Sequence, residues 1–400
     1  MKRVSRLIKG TAAVFLTAAL AVMAIVGFYS HSLPDSYYLT EGMSAGYSRL
    51  GCLLDVRLYR SEDSVLASAN GDSLCSGELK LWGTVPIKDA ELKSAKAPSL
   101  IPGGSPIGIK FLTDGVMVVK LQEVLEGVCP AKDAGLVAGD NIVSANGERL
   151  SSSARLSQII SESGGEPIAL TVQRGRDSYE TSLVPVQSQA DGSFKGGIWI
   201  RDSSAGVGTL TYIDPKTGCY GALGHPISDC DTQRTLPLGS GEIVDVTVTG
   251  YERGERGCPG ELFGTFVSGL AAGSVTKNCE QGVFGVMTYP PHGEAVPIAF
   301  RQEVCEGKAS TLTTISGNTP KEYEVEIERI SLSDGLGTKN LVIRVTDPEL
   351  LSQTGGIVQG MSGSPILQNG KLVGAVTHVF LSDPSRGYGI FIENMLEAAG

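Results

Sequence analysis

Glycine accounts for 52 of the 400 residues, and this content limits the folds that are open to the chain. Few stretches show the 3.6-residue apolar spacing of an amphipathic helix, whereas short Val/Ile/Thr runs separated by turn residues recur along the sequence. β-branched residues favour strands, and glycine weakens helices. A hydrophobic content of 41% with 19% charged residues is typical of a globular protein. We therefore predict a mainly β fold with a few helices, long enough for more than one domain.

The first 34 residues form a separate segment. Lys2, Arg3, Arg6 and Lys9 precede a stretch from Gly10 to Pro34 that contains no charged side chain. The apolar centre of this stretch is just long enough, at roughly 1.5 Å per residue, to cross a bilayer of about 30 Å. Basic residues at the short end favour its retention in the cytoplasm, so the rest of the chain is predicted to lie across the membrane. A cleavable signal peptide is the alternative.

The charge and cysteine content exclude several classes of function. A net charge of -10 argues against nucleic acid as a partner, because nucleic-acid binding needs a basic surface. The sequence has no Cys-x-x-Cys pair, no His-Glu-x-x-His helix and no Cys/His cluster, so we predict neither a metal site nor a cofactor. Eight cysteines in an exported chain permit disulfides, for which Cys219 with Cys230 and Cys258 with Cys279 are plausible pairs. Residues 35–100 contain strand-like runs without a motif and are predicted to be a β-rich extension.

Residues 101–187 contain an ordered series of short motifs. The series consists of Ile107-Gly108-Ile109, a Val-rich run, Cys129-Pro130-Ala131-Lys132-Asp133-Ala134-Gly135-Leu136 and Gly139-Asp140-Asn141-Ile142-Val143. This order resembles a PDZ domain of the bacterial protease type. The resemblance implies that Ile107, Gly108 and Ile109 form the loop that binds a terminal carboxylate through backbone N–H groups. The expected ligand is the carboxyl terminus of a substrate or of the chain itself, and the alternative is a PDZ-like fold with an unused groove.

Residues 194–400 are predicted to form one further unit. The polar Gly/Ser stretch that precedes them, residues 187–193, is typical of a linker between domains. Short strands separated by turns, over this length, are typical of a double β-barrel. The segments that end in His225 and His378 also share the order strand, turn, strand, Gly-Ala and histidine. This weak internal similarity favours two related barrels that meet at a cleft.

One segment of this unit has the pattern of a nucleophilic serine, namely Gly360-Met361-Ser362-Gly363-Ser364-Pro365-Ile366. Trypsin-like serine proteases present their nucleophile in the pattern Gly-x-Ser-Gly-[Gly/Ser]-Pro before a hydrophobic strand, because the glycines let the backbone fold back under the serine. The N–H groups of Gly360 and Ser362 would then form an oxyanion hole. The alternative is a Gly/Ser-rich hairpin without chemistry.

A serine nucleophile needs a base, and histidine has a suitable pKa near neutral pH. Of the four histidines, His225 is favoured because the trypsin-like chain order places the base before the serine. His378 follows the serine and is expected to line the cleft. The acid that should orient the base stays open at this point among Asp245, Asp334 and Asp347.

Over essentially its full length the chain resembles the SpoIVB peptidase family, which comprises membrane-associated PDZ serine peptidases of endospore-forming bacteria. The resemblance rests on the basic start and single hydrophobic segment, on the PDZ motifs, and on Gly224-His225-Pro226-Ile227-Ser228-Asp229, Thr346-Asp347-Pro348, the Ser362 segment and Gly374-Ala375-Val376-Thr377-His378-Val379-Phe380. At matching positions it implies Ser362 as nucleophile, His225 as base and Asp347 as acid.

The same resemblance implies a role in sporulation signalling. A member of this family would be exported from the forespore into the space between the forespore and mother-cell membranes, anchored there or secreted. It would cleave itself and then cut the extracytoplasmic domain of a membrane regulator that restrains an intramembrane metalloprotease. Release of that metalloprotease would lead to activation of a late mother-cell sigma factor.

Two other functions remain open. A carboxy-terminal processing protease also joins a PDZ domain to a serine nucleophile but uses a lysine base, for which Lys371 is the nearest downstream candidate. A non-catalytic PDZ scaffold of the cell envelope is the other possibility. The segment Gly42-Met43-Ser44-Ala45-Gly46 matches the Gly-x-Ser-x-Gly of α/β-hydrolases, but the sequence shows neither the preceding strand nor the following helix that this motif needs.

Overall fold

The computed structural model describes residues 2–39, 56–67, 73–94, 97–267, 271–289, 292–333 and 337–400. Helix α1 (Lys2–Ser32) leads into a four-stranded sheet of order β1-β4-β3-β2, formed by β1 (Ser36–Leu39), β2 (Val56–Ala67), β3 (Ser73–Leu81) and β4 (Val85–Ser94). The part Thr11–Ser32 of the helix has a mean hydropathy of 2.3 and is long and apolar enough to cross a membrane. A helix of this kind near the N-terminus is a membrane anchor or a signal sequence. The Gly42–Gly46 motif lies outside the described residues.

The chain continues with a long series of strands that serve two domains. These elements are β5 (Ser99–Pro102), β6 (Pro106–Leu121), α2 (Pro130–Asp133), β7 (Asn141–Ala145), β8 (Glu148–Arg149), α3 (Ser153–Glu162), β9 (Ile168–Arg174), β10 (Asp177–Leu183), β11 (Val186–Gln187), β12 (Phe194–Lys195), β13 (Ile198–Ile213), β14 (Cys219–Ala222), β15 (Leu238–Glu252), β16 (Glu261–Phe266), β17 (Gly273–Cys279) and β18 (Gly282–Met287). Strands β6, β15, β17, β18, β14 and β13 pair in that order, and β13 pairs again with β6. Six strands therefore close into a first barrel.

The PDZ domain is inserted into this barrel between β6 and β13. The two strands pair from Pro106 opposite Thr209, in the barrel, to Leu121 opposite Ile198, in the PDZ domain. The second half of β6 and the first half of β13 pack with β7, α3, β9 and β10 around a PDZ core that includes Val116, Ile142, Leu156, Leu170 and Val172. Each of the two long strands is thus shared by both domains.

This arrangement corrects two predictions about the PDZ domain. Ile107, Gly108 and Ile109 do not form a carboxylate-binding loop, because they lie within β6 and pair with β13 on one side and β15 on the other. Glycine is needed there for barrel packing, since a Cβ atom on Gly108 would lie 2.5 Å from the ring of Phe266. The PDZ domain therefore does not begin at residue 101. The predicted linker at residues 187–193 is the tip of the β11–β12 hairpin.

The C-terminal part of the chain forms a second barrel. Its elements are β19 (Val296–Pro297), a 3-10 helix (Arg301–Glu303), β20 (Gly307–Thr313), β21 (Lys321–Ile330), β22 (Leu341–Val345), α4 (Pro348–Thr354), β23 (Pro365–Gln368), β24 (Lys371–Phe380), β25 (Asp383–Phe391) and α5 (Ile392–Ala399). The barrel closes in the order β20-β21-β22-β25-β24-β23 around an apolar core. The predicted fold class, mainly β with an N-terminal apolar helix, a PDZ domain and a trypsin-like double barrel, is confirmed.

Candidate active site

A cleft of 410 Å³ lies where the two barrels meet. The first barrel contributes residues 204–207 of β13 and the segment that begins at His225, and the second contributes Gln359, Gly360 and Ser362. The structure therefore brings together two of the predicted catalytic side chains, Ser362 and His225, although they are 137 positions apart in the sequence.

The turn that carries Ser362 is fixed against strand β13. The amide of Thr209 donates a hydrogen bond of 3.0 Å to the carbonyl of Ser362. The side-chain hydroxyl of Thr209 donates one of 2.8 Å to the carbonyl of Gly360. Gly363 has a φ of 96°, and a Cβ atom there would lie 2.1 Å from the carbonyl oxygen of Thr209. The close approach of the two barrels thus explains why glycine follows the serine.

The backbone on both sides of Met361 offers free hydrogen-bond donors. Within the part of the chain that the structure describes, the N–H groups of Gly360 and Ser362 donate to no other group. Both residues line the cleft, and Gly360 has a φ of 96°, a conformation that favours glycine. Two unpaired N–H groups that line a cleft beside a serine are suited to stabilise an oxyanion.

The segment before His225 is held in an unusual backbone conformation. Leu223 and Gly224 have φ values of 67° and 68°, and the left-handed conformation of Leu223 costs about 1–2 kcal/mol. Strain of this kind occurs preferentially at functional sites. Here it turns the chain out of β14 and places the imidazole at the cleft.

His225 has the tautomer and charge of a general base. Its Nδ1 lies 2.9 Å from the carbonyl oxygen of Pro226, so a proton on Nδ1 is donated to that carbonyl and Nε2 is left as the acceptor. Burial lowers the pKa of His225, an effect that the hydrogen bond to Pro226 partly offsets. The imidazole is therefore neutral near neutral pH and able to accept a proton.

The serine and the histidine are not bonded to each other. The hydroxyl of Ser362 donates to the carbonyl of Thr377 at 2.9 Å instead. In unliganded enzymes the hydrogen bonds between catalytic groups are often long or misaligned and form when substrate binds. The Ser362 hydroxyl would have to release the Thr377 carbonyl before it could donate to His225.

His378 lies next to His225 but is not among the residues that line the cleft, contrary to expectation. The centres of the two imidazole rings are 5.3 Å apart. Desolvation, together with the charges of His225 and Lys339, lowers the pKa of His378 to about 4. His378 is therefore neutral near neutral pH, so it places no positive charge beside His225.

Asp347 is not brought to His225. Its carboxylate caps the N-terminus of α4, where it accepts hydrogen bonds of 2.9 and 3.0 Å from the amides of Glu349 and Leu350. It lines a separate depression on the second barrel. An Asp-Pro pair is common at the start of a helix, so capping accounts for this motif, and the structure does not support the acid role.

Of the other candidates for the acid, Asp245 lies exposed on β15 and Asp334 lies outside the described residues.

The structure does not support the Ser/Lys alternative or the plausible cysteine pairs. Lys371, the base of the Ser/Lys alternative, forms an ion pair of 2.8 Å with Glu303, and no lysine lines the cleft among the described residues. The proposed cysteine pairs are absent, because all four of those cysteines are free thiols: Cys219, Cys230, Cys258 and Cys279.

Sequence reasoning missed the residue that fixes the loop after His225. Arg201 of β13 forms ion pairs with Asp229, whose carboxylate is fully buried, and with Asp231 at 2.8 Å. Asp229 also accepts hydrogen bonds from the amide and hydroxyl of Thr232. The loop that begins at His225 is thereby attached to the strand that enters the PDZ domain. No local sequence pattern indicates this pairing, because Arg201 precedes Asp229 by 28 positions.

The PDZ domain contains a second depression, of 560 Å³, between α3 and the start of β13. Ile160 of α3 lines one wall, and Ile198 and Trp199 line the other. Gly196 and Gly197, which precede β13, are buried, and their amides donate to no group in the described ranges. Successive free amides form a nest for an anion. This segment has the geometry that was predicted for residues 107–109.

Fold and cleft together define a serine peptidase with an inserted PDZ domain. The family model described as SpoIVB peptidase S55 matches residues 192–396, and a PDZ domain model matches residues 124–174. The chain belongs to the SpoIVB peptidase S55 family, as the sequence resemblance indicated. No curated protein matches the chain.

Solved structures with similarity to this chain include one PDZ domain and one protease. The PDZ domain of the SdrC-like protein from Listeria monocytogenes is 25% identical and covers 22% of this chain and 87% of its own, with a TM-score of 0.19. The Rv3671c protease from M. tuberculosis is 15% identical. Its active form covers 49% of this chain and 75% of its own, with a TM-score of 0.29, and its inactive form covers 48% and 84%, with a TM-score of 0.27.

Proposed function

We propose that this peptidase is an endopeptidase in which Ser362 is the nucleophile and His225 the base. The observation that carries the proposal is the convergence of Ser362, His225 and the free amide of Gly360 on one cleft between the barrels. Nε2 of His225 would take the proton of the Ser362 hydroxyl as Oγ attacks the scissile carbonyl. The N–H groups of Gly360 and Ser362 would stabilise the oxyanion, and His225 would then protonate the leaving amine.

A backbone carbonyl would orient the base in place of a carboxylate. The hydrogen bond from Nδ1 of His225 to the Pro226 carbonyl selects the tautomer that leaves Nε2 free. A carbonyl stabilises the imidazolium less than a carboxylate does, because it carries only a partial charge. The proposal therefore includes Ser362 and His225 and assigns no catalytic role to Asp347.

The finer function follows from family membership. We propose that the protein acts in sporulation signalling, that it cleaves itself, and that it cuts the extracytoplasmic domain of a membrane regulator, which leads to activation of a late mother-cell sigma factor. The N-terminal apolar helix supports a location at a membrane, and from the family we propose that this is the forespore membrane, with the catalytic part in the intermembrane space. The unpaired amides of Gly196 and Gly197 support binding of a carboxyl terminus by the PDZ domain.

Self-processing of the full-length chain tests the catalytic proposal. Wild type, Ser362→Ala and Ser364→Ala are produced in membranes, and their fragments are compared. Ser364 is the matched control because it is the neighbouring serine but its hydroxyl bonds to Thr313 at 3.0 Å inside the second barrel. We expect fragments from the wild type and from Ser364→Ala and none from Ser362→Ala. Unchanged fragments in Ser362→Ala would remove Ser362 from the chemistry.

The same assay separates the Ser/Lys alternative. His225→Ala should abolish the fragments and Lys371→Ala should retain them. The opposite pattern would favour a lysine base.

A further inference from the structure

Strand β13 connects the PDZ depression to the active-site cleft. Residues 198–200 of this strand line the PDZ depression, and residues 204–207 line the cleft that contains Ser362 and His225. Only residues 201–203 separate the two. One strand therefore carries part of both binding surfaces.

One edge of β13 is open between these two surfaces. Strand β13 has two backbone edges, and one of them pairs with β6 from Ile198 to Thr209. On the open edge, pairing with β14 begins only at Leu210, next to the hydrogen bond from Thr209 to Ser362. Between Ile198 and Gly208 the backbone of this edge pairs with no other described segment, although the amide of Ser153, at the start of α3, donates to the side-chain carboxylate of Asp202. An open strand edge is a template for an extended peptide.

The unpaired amides at the start of β13 set the direction of such a peptide. Gly197 has a φ of 72°, and its N–H and that of Gly196 form a nest suited to a carboxylate. A carboxylate bound at the beginning of β13 requires the peptide to run antiparallel to this strand. The residues before the carboxylate therefore extend toward Gly208 and the active site.

We propose that a single substrate chain occupies both surfaces, with its carboxyl terminus at Gly196 and Gly197 and its scissile bond at Ser362. This inference rests on the proposed function of Ser362. Gly197 and Gly208 are 11 positions apart in the sequence, a span of about 36 Å at roughly 3.3 Å per residue. The substrate class is thus a polypeptide with a free carboxyl terminus, cut about ten residues before its end.

The lining of the PDZ depression specifies the terminal residue. A Cβ atom on Gly196 would lie 2.9 Å from Leu183 and 3.4 Å from Ile160, so apolar side chains surround the carboxylate nest. The substrate should therefore end in an apolar residue. Along residues 204–207 the strand carries the small residues Ser204, Ala205 and Gly206, which allow a substrate backbone to approach closely.

A library of mixed-sequence peptides, each about twice as long as the proposed tail, tests the spacing. The full-length enzyme in detergent digests one library with free carboxyl termini and a second with amidated termini, and mass spectrometry gives the distance from each cut to the peptide end. We expect cuts to cluster about ten residues from the free end. Amidation removes the negative charge from the peptide end, so the amides of Gly196 and Gly197 lose their carboxylate ligand. The value of kcat/KM should therefore fall at least about tenfold. Cuts at scattered distances from the peptide end, or a kcat/KM that amidation does not change, would overturn the inference.

A pair of variants on α3 provides the matched control. Ser157 lines the PDZ depression, whereas its neighbour Gln158 does not and is exposed. Ser157→Trp should fill the depression and reduce the preference for free over amidated termini, and Gln158→Trp should leave that preference unchanged. An unchanged preference in Ser157→Trp would also contradict the inference.

Failure of this inference can be distinguished from failure of the proposed function. Peptide hydrolysis that depends on Ser362 but ignores the carboxyl terminus refutes the single-chain arrangement alone. If Ser362→Ala retains all hydrolysis, the proposed function fails, and the inference fails with it.

Discussion

The hydroxyl of Ser362 donates its hydrogen bond to the carbonyl of Thr377, at 2.9 Å. This bond holds Oγ against strand β24 of the second barrel, whereas His225 belongs to the first. Catalysis requires Oγ to leave Thr377 and bond to Nε2 of His225, at a cost of about 1 kcal/mol for the hydrogen bond that is broken. The arrangement is therefore a resting one, which substrate binding must convert.

Replacement by alanine should affect activity and stability very differently at Gly363 and at Gly370, two glycines near Ser362. Gly363→Ala places a Cβ atom 2.1 Å from the Thr209 carbonyl, whereas Gly370→Ala meets no atom within 4 Å, and φ is positive at both. We expect Gly363→Ala to lose activity because the barrels must separate, and Gly370→Ala to lose only about 1 kcal/mol through backbone strain. Thermal unfolding and peptide hydrolysis measure the two effects. Equal behaviour of the variants would contradict the account of the barrel contact.

The pH dependence of kcat/KM should reflect the lowered pKa of His225. Burial lowers this pKa below the ordinary value of 6.5, so the base remains neutral, and activity persists, below pH 6.5. Activity falls only when the pH drops through the lowered pKa, because protonated His225 cannot accept the Ser362 proton. His378→Gln should keep this acid limb, since the limb belongs to His225. An acid limb centred at or above 6.5 would contradict the prediction.

The stability of the protein should also decrease on acidification. The pKa of His378 is about 4 in the folded protein, whereas the ordinary value for histidine is 6.5, so the unfolded state binds more protons between pH 4 and pH 6.5. The stability that neutral His378 contributes is complete above pH 6.5 and is lost as the pH falls toward 4. Denaturant unfolding of wild type and His378→Gln measures it. On acidification His378→Gln should lose less stability than the wild type. An identical loss of stability would rule out His378 as its source.

Asp347 should contribute to stability and not to chemistry. Asp347→Ala removes the cap of α4 and should lower the free energy of unfolding by about 1 kcal/mol, whereas Asp347→Ser retains a capping oxygen and should lower it less. Both variants should hydrolyse peptides at the wild-type rate. A folded Asp347→Ser protein without activity would restore Asp347 as the catalytic acid.

Arg201 should position the loop that carries His225. In Arg201→Met the buried carboxylate of Asp229 loses its ion pair, which should destabilise the protein by about 2–3 kcal/mol, discounted for the partial exposure of Arg201. We expect kcat to fall more than KM rises, because the base is displaced while the substrate-binding edge remains.

Arg155→Met is the control for Arg201→Met. It breaks an exposed PDZ ion pair with Glu148, which should cost less than about 1 kcal/mol. A change in kcat of the same size in both variants would show that Arg201 has no special role.

Features set by local sequence could be predicted, and features set by long-range pairing could not. The glycines around Ser362 indicated the nucleophile turn, because a tight turn specifies its own residues. The error at Ile107-Gly108-Ile109 arose because β6 pairs with β13, and no local pattern shows that one strand serves two domains. For the same reason the sequence predicts that Gly196 and Gly197 belong to the peptidase unit, residues 194–400, and not to the PDZ domain. The capping role of Asp347 was missed, although the sequence Asp347-Pro348-Glu349 is typical of a helix start.

Labelling with a fluorophosphonate, followed by peptide mass spectrometry, tests the central claim most directly, because only an activated serine reacts. The account predicts that the label is found on Ser362 of the wild type, that His225→Ala abolishes it, and that Asp347→Ser retains it. Label on a different serine, or label on Ser362 that persists in His225→Ala, would contradict the claim that His225 activates Ser362 across the cleft.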